Sequence, residues 1–122
     1  MKNILLTLSF FFSLSVGHTQ ESVNFKNLVE RDGAFYLENT EKPYTGIAFE
    51  LYKSGLKKKE TSFKNGAKNG LATRWYKNGQ KKEIGTYKDG EPDRLWTFWY
   101  LDGRKKEEGL YMDGKLISEK KY

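Results

Sequence analysis

The sequence predicts an all-β fold: an elongated antiparallel meander of stacked β-hairpins, with a 24-residue period and about three units. Glycine reveals the period first. Gly55, Gly79 and Gly103 stand 24 residues apart, as do Gly66, Gly90 and Gly114. Aromatic and aliphatic classes keep the same step, in the columns Leu51/Trp75/Trp99, Tyr52/Tyr76/Tyr100, Phe63/Tyr87/Tyr111 and Ile47/Leu71/Leu95. Between these columns lie Asn-Gly, Asp-Gly and Ser-Gly pairs. Self-similarity at such a spacing is the mark of a repeat architecture, and glycine pairs between short alternating runs mark hairpin turns.

Residues 1–19 read as a cleaved secretory signal peptide. Lys2 gives a basic start, residues 4–16 form a 13-residue uncharged apolar run, and Gly17 and Thr19 precede a cut before Gln20. The run is too short for an ordinary membrane span, and no cysteine follows it to carry a lipid. The chain is therefore expected to be exported, periplasmic or secreted, and soluble after cleavage. Residues 20–45 break the period and are expected to cap the repeats, with a hairpin over 28–37 that turns at Asp32-Gly33. Three units follow at 46–69, 70–93 and 94–115. In the middle unit the strands are expected over 71–76 and 81–87. A short last strand at 115–118 precedes a polar tail.

Turn type decides which side chains share a face, because a one-residue slip reverses every side chain on a strand. A two-residue type I′ turn at Asn78-Gly79 would pair Tyr76 with Lys81. A three-residue turn ending in a glycine bulge would pair Tyr76 with Gln80. Ser54 occupies the Asn78 position in the first unit and tolerates positive φ badly, which favours the three-residue turn. That register places Leu71, Trp75 and Tyr87 on one face and leaves Arg74, Lys82 and Thr86 on the other. Arg94 stands where the series Gly46, Gly70 calls for glycine, after Glu91-Pro92-Asp93, so the connection there is expected to be displaced.

The run Trp75-Tyr76-Lys77-Asn78-Gly79-Gln80-Lys81-Lys82-Glu83, followed by Gly85-Thr86-Tyr87-Lys88-Asp89-Gly90, resembles the MORN-repeat variant of bacterial proteins named as YwqK-family antitoxins. Lys42-Pro43-Tyr44-Thr45-Gly46 is similar to the Pro-aromatic-Thr-Gly segment that precedes the first repeat in that family. The resemblance covers about residues 28–115. It implies a sheet of β-hairpin repeats over 46–122 that works by binding a partner, which for the named family is a toxin held inactive.

Composition excludes much chemistry. The only histidine is His18, within the expected signal, and the chain has no cysteine. Thiol nucleophiles, histidine-based triads and the usual zinc sites are thereby removed. No enzyme activity, metal or cofactor is expected. The net charge of +6 is spread along the chain, and no nucleic-acid motif accompanies it. The expected role is a protein-interaction scaffold, antitoxin- or immunity-like, whose partner is a toxin-like or envelope protein. Trp75, Tyr76, Trp96, Trp99 and Tyr100 are the candidate contacts, since Trp and Tyr are enriched at binding hot spots. Trp96 is the expected surface residue, because strand alternation puts it opposite Trp99 and alanines fill its equivalents. An alternative is an envelope module for anionic lipid or glycan, using a basic stripe of Lys57, Lys81 and Lys105 with Lys58, Lys82 and Lys106. A self-associating structural protein is a third reading, and the oligomeric state is left open.

Overall fold

Two kinds of turn alternate along the chain, each set by the residues that make it. The computed structural model describes residues 21–122; the expected signal peptide lies outside them. The turns at 53–55, 77–79 and 101–103 are of the three-residue type. Tyr76 N–H donates to the Gln80 carbonyl at 2.8 Å and Gly79 N–H to the Tyr76 carbonyl at 3.0 Å, and the other two turns repeat this. Gly79 takes φ +89° while Asn78 does not turn positive. The Asn78 side chain instead accepts the Gln80 N–H at 3.0 Å, as Ser54 does from Leu56 and Asp102 from Arg104. A short side-chain acceptor is what this position needs, so serine serves as well as asparagine. The other turns, Asn65-Gly66, Asp89-Gly90 and Asp113-Gly114, have positive φ at both residues, the type I′ geometry of two-residue hairpins.

The strands are β1 (Ser22–Asn24), β2 (Leu28–Arg31), β3 (Ala34–Leu37), β4 (Gly46–Leu51), β5 (Lys57–Lys64), β6 (Ala67–Trp75), β7 (Lys81–Lys88), β8 (Glu91–Trp99), β9 (Lys105–Met112) and β10 (Lys115–Lys121). Strands β4 to β10 run as an antiparallel meander in chain order, and β1 adds to the β4 edge in parallel. The last strand is longer than expected, reaching Lys121. Its Tyr122 neighbour is tied back to Lys106 and Glu108. This edge is fully exposed and lysine-rich, a composition that discourages further strand pairing.

One expectation is overturned by a bulge. Trp75 pairs with Lys81 but Arg74 pairs with Glu83, leaving Lys82 as an extra residue. Lys58 and Lys106 are skipped in the same way. The bulge shifts β7 by one residue, so Tyr87 comes to pair with Gly70 and lies on the face opposite Leu71 and Trp75. The apolar columns are therefore divided between two faces. One, the cap face, carries Ala48, Thr61, Phe63, Ala72, Gly85, Tyr87, Trp96 and Tyr111. The other, the open face, carries Ile47, Phe49, Leu51, Leu71, Trp75, Ile84, Leu95 and Trp99.

The N-terminal segment folds over the first unit of the cap face. Val23, Phe25, Leu28 and Phe35 pack against Tyr44, Ala48 and Phe63, and Phe63 meets the rings of Phe25, Phe35 and Tyr44 edge-on at 5.2–6.0 Å. The Tyr44 hydroxyl donates to the Ile47 carbonyl at 2.8 Å. Further along the same face Trp96 forms a second centre between Tyr87 and Tyr111. The third unit is not displaced. Arg94 pairs with Tyr111 as Gly70 pairs with Tyr87, and it adopts φ +63°, keeping the positive-φ backbone of Gly46 and Gly70.

Candidate functional site

On the open face the column Leu51, Trp75, Trp99 lies directly across from Lys57, Lys81 and Lys105. Alternation along β4, β6 and β8 adds Ile47, Leu71 and Leu95 to the same surface. Leu51, Leu71 and Leu95 are 42%, 52% and 50% exposed, and Trp75 and Trp99 are half-buried. The cap reaches only the other face, so this apolar surface carries no second layer among the described residues.

Tyrosines at the strand ends tie one unit to the next. The Tyr52 hydroxyl donates to the Trp75 carbonyl at 2.6 Å and the Tyr76 hydroxyl to the Trp99 carbonyl at 2.7 Å. These bonds fix the carbonyl side of each tryptophan while its ring stays on the open face. The Tyr100 hydroxyl makes no such bond among the described residues, and Tyr100 is 39% exposed.

The lysine stripe separates into two kinds. The bulge residues Lys58, Lys82 and Lys106 each hold the ammonium 5.6–5.9 Å from a tyrosine ring centre, over Tyr52, Tyr76 and Tyr100. That spacing is within cation–π range. In the other set Lys57 and Lys105 are paired with Glu60 and Glu108. Lys81 has Ile84 at the matching position and, among the described residues, no carboxylate within ion-pair distance. The contact with Glu108 holds Lys105 above the ordinary lysine value, and its contacts with Tyr122 and Lys105 hold Glu108 below the usual carboxylate range.

Trp96 is not a surface residue. It is 5% exposed, its ring lies on Gly85, and its indole N–H donates to the Thr86 carbonyl at 3.1 Å. The same bulge that moves Tyr87 is responsible, since it brings Tyr87 and Tyr111 to the face on which Trp96 already lay. The strand-interior glycines Gly85 and Gly109 were the available signal, because a glycine inside a strand marks the close approach of another group.

No family model, curated protein or solved structure matches this chain.

The cap face also gathers cations that the sequence pattern did not single out. Lys59 and Arg74 are direct cross-strand partners. They line two adjoining hollows, one with Lys68, Phe25, Thr61, Glu83, Tyr87 and Trp96, the other with Glu50, Tyr52, Lys58, Trp75 and Lys82. Burial, and after it the Arg74 guanidinium, holds the Lys59 ammonium below its ordinary value. Burial raises the Tyr87 phenol, with Glu83 adding to the effect. Among the described residues no group of three His, Cys, Asp or Glu side chains is placed to hold a metal ion. The arrangement offers apolar contact edged by lysines on the open face and a cluster of cations on the cap face.

Proposed function

We propose that this chain is an exported, non-enzymatic repeat scaffold of MORN type that binds a protein partner, antitoxin- or immunity-like, through its open face. The observation that carries this reading is the uncovered apolar surface of Leu51, Leu71, Trp75, Leu95 and Trp99. Contiguous apolar surface without a covering layer marks an interaction site, and half-buried tryptophans on a rigid sheet are suitable anchors because little side-chain entropy is lost on contact. Trp75 and Trp99 are the central contacts in this reading. Tyr52 and Tyr76 position them through bonds to their carbonyls, Tyr100 stands beside Trp99 at the strand end, and Trp96 supports the sheet from behind.

The test uses the chain as bait against envelope and secreted proteins of its own host, with Leu71→Glu and Leu95→Glu as paired variants. A partner retained by the wild type and lost by both variants supports the reading. A partner held equally by wild type and variants removes the open face from it. Sedimentation of the chain alone distinguishes the self-associating alternative, in which the same two variants would convert an oligomer to a monomer.

A second reading, an anionic lipid or glycan surface as partner, is favoured by one specific observation. Lys81 and Lys105 lie directly across from Trp75 and Trp99 on the open face, so aromatic and basic groups share a surface. Vesicles of anionic lipid and cell-wall preparations test it. Binding that weakens with salt and with Lys81→Ala supports this alternative, and absent or salt-insensitive binding removes it.

A further inference from the structure

We propose that the cap face holds a binding site for a compact oxyanion such as phosphate or sulfate, centred on Lys59, Lys68 and Arg74. The site lies on the opposite side of the sheet from the open face and stands or falls independently of it.

The first ground is an arrangement that sheets normally avoid. Lys59 on β5 and Arg74 on β6 are directly paired on one face, and like charges in that relation are destabilising. The acids beside them neutralise them only loosely. Glu50 lies 3.9 Å from Lys59 and is shared with Lys58 at 3.3 Å. Glu83 lies 3.9 Å from the Arg74 Nε. Lys68 and Lys82 have no carboxylate within ion-pair distance among the described residues. Around the two hollows stand five cations, Lys58, Lys59, Lys68, Arg74 and Lys82, against the two carboxylates Glu50 and Glu83.

The second ground is shape. The hollow between Phe25, Tyr87 and Trp96 has a volume of about 30 Å³ and opens beside one of about 150 Å³, with Lys59 and Arg74 lining both. Its floor is small and buried, made by Thr61 and Ala72. Its cations are held by aromatic walls: the Lys59 ammonium is 4.1 Å from the Phe25 ring centre and that of Lys68 is 5.1 Å from Tyr87. The space suits one compact group. The residues lining it include one guanidinium and two ammonium groups, which can supply charge-assisted donors, the strong class of hydrogen bond. Burial first, and then the neighbouring Arg74, holds the Lys59 ammonium below its ordinary value, with Lys68 and Lys58 adding to the effect.

Inorganic phosphate titrated into the full chain at fixed ionic strength tests the site, followed by NMR of the lysine Nζ and arginine Nε groups. Lys59, Lys68 and Arg74 should shift together and saturate, and Lys68→Met and Arg74→Met should each weaken binding about tenfold or more. Lys115→Met, on the exposed last strand and outside the site, should leave it unchanged, and circular dichroism confirms that the variants fold. The same titration with phosphatidic acid vesicles distinguishes a free anion from a headgroup. Either response supports the site if Lys68→Met weakens it about tenfold or more. No response in either arm, a non-saturating shift common to all lysines, or full binding by Lys68→Met would overturn it.

Discussion

Replacing Gly85 by alanine should destabilise the sheet through a single steric conflict. A methyl group built on Gly85 overlaps the Trp96 indole, and even the third-nearest ring atom, Cε3, lies only 2.6 Å away. The ring has little freedom to retreat. Its N–H is bonded to the Thr86 carbonyl at 3.1 Å, and Tyr87 and Tyr111 pack on it at centroid distances of 5.1 and 6.5 Å. Overpacking of this kind costs about 1–3 kcal/mol. Alanine in a strand recovers roughly 0.5–1 kcal/mol of backbone entropy relative to glycine. With the indole held on three sides the cost lies toward the upper end of its range, leaving a net loss of up to about 2.5 kcal/mol. Urea unfolding followed by tryptophan fluorescence measures this loss. The decisive comparison is the same substitution in a Trp96→Ala background, which removes the ring at its own cost of about 3–5 kcal/mol. There Gly85→Ala should become neutral or stabilising. An equal loss in both backgrounds would refute the steric explanation and place the cost in the strand itself.

Arg94 holds a left-handed backbone at φ +63°, so Arg94→Gly should raise stability by about 1 kcal/mol, read as a higher unfolding midpoint; its exposed contact with Asp93 is a minor loss. Tyr76→Phe should cost about 1 kcal/mol by removing the bond to the Trp99 carbonyl, whereas Tyr100→Phe should be nearly neutral, and equal losses would contradict the inter-unit tyrosine ladder. Burial, reinforced by Glu21, raises the Tyr44 phenol above its ordinary value of 10.0. The neutral form is then favoured by the fold, so this stability is fully present below about pH 10 and is lost as pH rises through the raised value. Lys59, held low, acts in the opposite sense; the readout is therefore the difference between wild type and Tyr44→Phe, whose alkaline decline should be shallower.

The period, the strands and the three-residue turns were legible because each rests on local chemistry. Glycine at positive φ, a short acceptor at Ser54, Asn78 or Asp102, and alternation between them all act within a few residues. The hairpin over 28–37 followed for the same reason, from Asp32-Gly33. The bulge was not legible. Lys57-Lys58, Lys81-Lys82 and Lys105-Lys106 are runs of like residues, and nothing in such a pair says which lysine the partner strand will skip. That one residue decides the face of Tyr87 and Tyr111, and with it the burial of Trp96. The cation site was hidden for a related reason: Lys59 and Arg74 become neighbours only because a separate irregularity, between Thr61 and Phe63, shifts the pairing of β5 with β6. The basic stripe looked like a surface for ligands, yet Lys58, Lys82 and Lys106 lie over tyrosine rings, and Lys57 and Lys105 are paired with glutamates.

The absence of native cysteine makes the proposed binding face directly testable in living cells. Leu71→Cys and Leu95→Cys place a single thiol on the open face, and Arg74→Cys places one on the opposite face of the same sheet. With a thiol-specific cross-linker in the producing host, the two open-face thiols should capture one common protein and the Arg74 thiol should not. Cross-links to that protein from Arg74→Cys alone, or equally from all three positions, would contradict partner binding through the open face.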